Sequence, residues 1–212
     1  MKMRKNILWM LAAILTCSLA ATSLSACSSD DDDKAEAKTE VMMAYYLKVS
    51  EDVLKVADVE VNYVDQTGAK KKEAMTSAEW KKTISSNSLP MTEGIWAKIS
   101  PKASVAAGNY QLKATTVAGY QAKLPSGKTI ADAFGNDPEA APTAAQTADE
   151  VAAWCAQSGT VAFTVSETGY AKATEVDFGG NERGDTHNDG YFTDVCKWLM
   201  WLVGLDESDC DD

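Results

Sequence analysis

The sequence predicts a mainly β fold, an antiparallel β-sandwich, with a short helix near 148–157 and a C-terminal helix near 191–203. Three observations predict it. Short runs alternate apolar and polar residues with period two. Gly, Pro and Asn turns separate those runs at the spacing of an antiparallel sandwich. Two later segments change to the helical period.

The elements follow in chain order. From Met42, the residues Tyr45, Leu47 and Val49 alternate with Ala44, Tyr46 and Lys48, which predicts a strand. Val59, Val61 and Tyr63 alternate with Asp58, Glu60 and Asn62, a clearer one. Leu54 and Val56 sit on the opposite parity, so a bulge is expected near Ala57-Asp58. Asp65-Gln66-Thr67-Gly68 reads as a turn, with Lys70–Met75 returning as the second arm of a hairpin. Residues 78–84 read either as a strand through Trp80, Lys82 and Ile84 or as a short helix. Ile95, Ala97 and Ile99 alternate with Trp96 and Lys98, and Pro101 limits that strand. Tyr110, Leu112, Ala114 and Thr116 again alternate.

Residues 135–146, rich in Pro and Ala, read as a long surface loop. Thr147-Ala148-Asp149-Glu150 is a capping box opening a helix with Val151, Trp154 and Cys155 on one face, and Gly159 is expected to stop it. Val161, Phe163 and Val165 resume strand alternation, with a further strand from Tyr170 to Phe178. Phe192, Val195, Cys196, Leu199 and Val203 repeat at helical spacing before Gly204. Trp198–Val203 is apolar almost all round, so that helix is expected to plug an open edge or end of the sandwich, or to meet a partner.

The chain begins with the basic residues Lys2, Arg4 and Lys5, followed by an apolar run from Ile7 to Leu15. That order is a secretory signal; the run is too short for a bilayer, which needs about 20 apolar residues. Leu24-Ser25-Ala26-Cys27 resembles the lipobox of bacterial lipoproteins. The resemblance implies removal of residues 1–26 and transfer of a diacylglyceryl group, carrying fatty acyl (palmitate-type) chains, to the Cys27 thiol, which anchors the chain to a membrane. Next comes Ser28-Ser29-Asp30-Asp31-Asp32-Asp33, similar to the export signal of Bacteroidetes surface lipoproteins. It implies an outer-membrane location facing the cell exterior. Residues 27–40 are then an acidic tether, 41–205 the folded domain and 206–212 an acidic tail.

There are 20 Lys and Arg against 31 Asp and Glu. Removing residues 1–26 takes away three bases and no acid. Much of the net negative charge lies in Asp30–Asp33 and in the tail from Asp206, since bases offset most of the acids in the domain. This balance disfavours nucleic acid and anionic lipid headgroups, which need basic patches. Beyond the anchor, the cysteines are Cys155, Cys196 and Cys210. An exported chain permits one disulfide among them, and Cys196–Cys210 would tie the tail to the last helix; three free thiols is the other reading.

Ser50–Asp65, Gly68 and Thr76-Ser77-Ala78-Glu79-Trp80 resemble small lipoproteins of gut Bacteroidetes over roughly 41–120. The resemblance implies an Ig-like sandwich and surface location, and no activity.

The histidine, His187, lies in the polar loop Asn181–Gly190, without the neighbours of a hydrolase motif, and reads as solvated. Asp185, His187 and Asp189 stand at alternate positions before Gly190, as calcium ligands do. His187 in the third position and Cys196 in place of a bidentate Glu weaken that pattern, and a helix start capped by Asn188 or Asp189 also explains it. Arg183-Gly184-Asp185 is read as coincidence. Ala122–Thr129 falls one Gly short of a phosphate loop, so Pro125–Lys128 reads as a turn. No cofactor is expected.

The expected role is a non-enzymatic binding or interaction module, its partner a host or envelope protein or a glycan. The alternatives are an accessory subunit of an envelope complex and a hydrolase using carboxylates alone. The hydrolase requires two acids facing each other in a cleft.

Overall fold

In the first strand, β1 (Glu40–Val49), every second side chain from Val41 to Val49 enters one apolar cluster. Met42, Ala44 and Tyr46 on its other face are buried as well. The structure is a computed structural model that describes residues 39–136 and 140–179.

After β1 comes α1 (Glu51–Val56), just ahead of Ala57-Asp58, where the sequence predicts a bulge. Glu51 and Asp52 occupy the first turn, where the helix dipole favours negative charge. Asp52 pairs with Lys55 one turn on, at 2.7 Å. Val53 and Val56, three apart, both point inward. Alternation pairs Leu54 with Val56, two apart, whereas the helix turns Val53 and Val56, three apart, into the core.

β2 (Ala57–Val64) and β3 (Lys70–Ala74) form the expected hairpin. At its turn the Asp65 carboxylate accepts from the Thr67 backbone at 2.8 Å, the Thr67 hydroxyl at 2.6 Å and the Ala69 backbone at 3.0 Å. Gly68 supplies the positive φ, 77°, that closes the turn. Residues 79–86 are strand, not helix: β4 (Glu79–Ser86). β5 (Met91–Pro101) ends on Pro101 as expected. The alternation from Tyr110 to Thr116 is split between two strands, β6 (Tyr110–Leu112) and β7 (Ala114–Lys123), with Lys113 between them. β7 continues beyond the segment legible from alternation, because Gly119 and Ala118 dilute its apolar pattern. Residues 124–128 then turn, with Leu124 and Gly127 in backbone bonds of 2.8 and 2.9 Å, into β8 (Thr129–Gly135).

The expected loop 135–146 contains a short strand, β9 (Thr143–Ala145), which pairs with β6. α2 (Ala148–Cys155) begins at a formed capping box: Glu150 N–H donates to the Thr147 hydroxyl, and the Glu150 carboxylate accepts from the Thr147 backbone. It ends at Ala156, before Gly159. The last strands are β10 (Thr160–Val165) and β11 (Ala171–Ala173).

All pairings are antiparallel. One sheet runs β4-β1-β7-β8, a second β11-β10-β5-β2-β3, and β6-β9 forms a ribbon. The chain crosses between the large sheets from β1 to β2 and again from β4 to β5. β4 pairs with β1 and β5 with β2, so the two crossings interlock. The inner faces share one core, a sandwich-like arrangement. Phe163 on β10 bridges it, its ring 4.3 Å from Phe134 on β8 and 5.5 Å from Tyr120 on β7.

The expected strand Tyr170–Phe178 is ordered differently. β11 holds three residues, and the chain then crosses the outer face of the second sheet. Thr174 N–H donates to Ala162 O at 3.1 Å, and Phe178 stacks on Trp96 at 6.4 Å. A methyl at Gly94 would lie 3.2 Å from Val176, so the bare backbone there permits the close crossing. The expected helix 191–203 and the acidic tail lie outside the described residues.

Phe163→Ala is expected to cost about 3–5 kcal/mol in urea unfolding, since it empties the contact between sheets. Tyr170→Ala, at an exposed position, is expected to shift stability by less than about 0.5 kcal/mol.

Candidate functional site

Three segments converge at one end of the sheets: the 65–69 turn, the 87–90 connection and the crossing segment 174–179. Between them lies a groove of about 530 Å³. Thr67, Lys70, Ser88, Thr92, Glu175 and Asp177 are among its lining residues. The Lys70 ammonium donates to the Asp177 carbonyl and so ties the hairpin to the crossing segment. Thr92 shares a 3.0 Å hydroxyl contact with Thr164, and Ser86 one of 3.2 Å with Ser88. Hydroxyls, one ammonium and two carboxylates suit a polar ligand. Among the described residues, the lining holds no aromatic ring.

Beneath the groove lies a buried polar pair. β5 sends Met91, Ile95, Ala97 and Ile99 into the core, and Glu93 has the same parity. Glu93 is 0% exposed. The Tyr45 hydroxyl stands 2.6 Å from its Oε2, 2.9 Å from the carbonyl of Val64, a groove residue, and 3.3 Å from Gly94 N. Among the described residues, Glu93 Oε1 has no hydrogen-bond partner. Burial pushes the Glu93 carboxyl up to about 7, against the lowering effect of the Tyr45 bond. Burial, then the Glu93 charge, holds the Tyr45 hydroxyl far above its ordinary range. A second carboxyl, Asp132 on β8, is raised to about 6 by burial, against one bond from Ala133 N–H at 2.8 Å.

A third cluster closes the open edge between β3 and β4. Glu73 accepts from Tyr63 Oη at 2.8 Å, from Trp80 Nε1 at 2.9 Å and from the Lys82 ammonium. Lys82 also sits 4.8 Å above the Tyr63 ring. Hydrogen bonds from Lys82, then Trp80, hold the Glu73 carboxyl down at about 2. Every polar tip here has a partner, so an edge that carries charge inward is satisfied without a second chain.

Of the residues singled out in the sequence, Cys155 lies in α2 as a buried free thiol whose ionisation burial disfavours. Trp80 belongs to the Glu73 cluster. Trp96 is buried beneath Phe178, so neither indole is an open platform. Cys27, Cys196, Cys210, Asp185, His187 and Asp189 lie outside the described residues. Among the described residues, no three His, Cys, Asp or Glu side chains are placed to hold a metal. Glu93 and Glu73 were not singled out in the sequence. The available signal for Glu93 was its place in phase with four apolar residues of β5.

Glu73→Ala strands three donors and is expected to cost about 1–3 kcal/mol. The folded-state carboxyl is depressed, so its stabilisation is complete above about pH 4.5 and is lost as pH falls toward about 2. Thermal melts across that window are expected to show a steeper acid loss for the native chain than for Glu73→Gln.

Comparison with protein-family models, curated proteins and solved structures found no match for this chain.

Proposed function

We propose that this chain is a lipid-anchored binding module on the outer face of an outer membrane. The carrying observation is Leu24-Ser25-Ala26-Cys27 followed directly by Ser28-Ser29 and four aspartates. A thiol at a signal-peptide cut is a lipid acceptor, and an acidic run beginning three residues later stands where a surface-export signal is read. The groove at the end of the sheets is the proposed binding surface, since connections on a rigid sandwich commonly carry recognition.

The proposed fold family is Ig-like. In Ig sandwiches strand B pairs with E, C with F, and G lies beside F. β1, β2, β4, β5 and β10 take the places of B, C, E, F and G, and β3 that of C′. β7 fills the place next to β1 that strand A would take, so the correspondence is one of arrangement, with a later strand in the first position.

Cells fed a labelled fatty acid are expected to label the native chain and not Cys27→Ala, which moves to the soluble fraction. Labelling that survives the substitution overturns the anchor. Protease applied to intact cells is expected to cut the native chain and to spare a variant with Asp30–Asp33 replaced by Ala. For binding, a ligand captured from panels of glycans and envelope proteins is expected to be lost in Ser88→Arg, which fills the groove, with an unchanged melting temperature. Equal capture by that variant removes the groove from the account.

A further inference from the structure

The Tyr45 hydroxyl has one proton and two acceptors within reach, Glu93 Oε2 at 2.6 Å and Val64 O at 2.9 Å. If Glu93 is ionised, one acceptor goes without. The proton either serves the carboxylate, leaving the Val64 carbonyl against a bare lone pair, or serves Val64, leaving a buried charge unsolvated. If Glu93 is neutral the count closes. Glu93 O–H donates to Tyr45 Oη, Tyr45 O–H donates to Val64 O, and Gly94 N–H reaches the remaining phenol lone pair at 3.3 Å. Oε1, which has no partner among the described residues, is then an uncharged carbonyl oxygen, the cheaper atom to leave alone.

Val64 is the last residue of β2, and the turn that begins at Asp65 forms one side of the groove. We infer that a proton on Glu93 latches this turn to the core, and that losing the proton loosens one wall of the groove. The inference holds whether or not the groove takes a ligand.

Among the described residues, no cation compensates a Glu93 charge; burial and the Tyr45 bond are what shift its carboxyl. The packed elements bring Tyr45 from β1, Tyr63 and then Asp65 from β2 and its turn, Tyr120 and Lys123 from β7, and Asp149, Glu150 and Cys155 from α2; β10 has no ionisable residue. Lys123 is at the far end of β7, facing Glu40 at 4.0 Å. Asp65 is held at about 2, first by the Thr67 hydroxyl, so it stays charged throughout. Asp132 titrates in the same range and contributes its own pH dependence.

Burial raises the folded-state Glu93 carboxyl from 4.5 to about 7. Its stabilisation is therefore present below about pH 4.5 and lost as pH rises through about 7. Full-length protein in detergent is compared with Glu93→Gln, whose amide N–H donates to Tyr45 at any pH. Asp132 affects both chains alike and cancels in the comparison. Between about pH 5 and about pH 8 the unfolding constant of the native chain is expected to rise about 50- to 100-fold relative to Glu93→Gln. Protection of the Gly68 and Ala69 amides against hydrogen exchange is expected to fall over that range in the native chain only. Tyr45→Phe, which cuts the link and keeps the acid, is expected to make turn protection independent of pH while global stability still titrates. An unchanging ratio between native chain and Glu93→Gln, or turn protection that titrates alike in both, overturns the latch. If Glu93→Gln does not fold, the carbon-13 shift of the Glu93 carboxyl in the native chain decides: a neutral carboxyl at about pH 5.5 supports the latch, and an ionised one ends it.

Discussion

The alternation of β5 is the constraint on which the rest of the structure depends. This strand is the middle of the second sheet, with β10 on one side and β2 on the other. Its parity sends Met91, Glu93, Ile95, Ala97 and Ile99 inward, and Thr92, Gly94, Trp96 and Lys98 outward. A slip of one residue would reverse both sets. It would bring Trp96 and Lys98 into the core and strand Ile95 and Ile99 on the surface. The inward set fills the core and places a carboxyl beneath the groove. The outward set supplies the glycine and the indole on which the crossing segment lies.

Polar groups in this structure are managed in two different ways. At the β3–β4 edge, Glu73 is partly exposed and gathers three donors, so its charge is favoured. In the core, Glu93 has one side-chain partner and no cation among the described residues, so its neutral form is favoured. Two acids of similar intrinsic strength are driven in opposite directions by solvent access and donor count alone. Tyr45 and Tyr63 connect the two sites, their rings 6.0 Å apart, so polar side chains line a continuous path from the edge to the core.

Strand alternation was legible wherever one face was apolar and the other polar, as in β2 and in β5 from Ile95 onward. It failed where the residues are small. β7 and β8 contain Ala118, Gly119, Ala122, Ala131 and Ala133, which carry no contrast between faces. The helix α1 escaped because six residues span too little of the helical period. β9 escaped because Thr143-Ala144-Ala145 has no alternation of its own and is strand only through its partner β6. The groove was not legible at all. It is made by three segments far apart in sequence, and only the sheet order brings them together. Glu93 was partly legible, since an acid in phase with an apolar run is either a strand end or a buried carboxyl, and β5 extends past it to Met91.

Proton–proton Overhauser effects from the Glu93 side chain test the inward parity of β5 most directly. The account predicts cross-peaks from the Glu93 methylenes to the rings of Tyr45 and Phe163, with Trp96 connected to Phe178. Cross-peaks from Trp96 to Phe163 or Phe134, with none from Glu93 to Tyr45, would contradict the register and everything built on it.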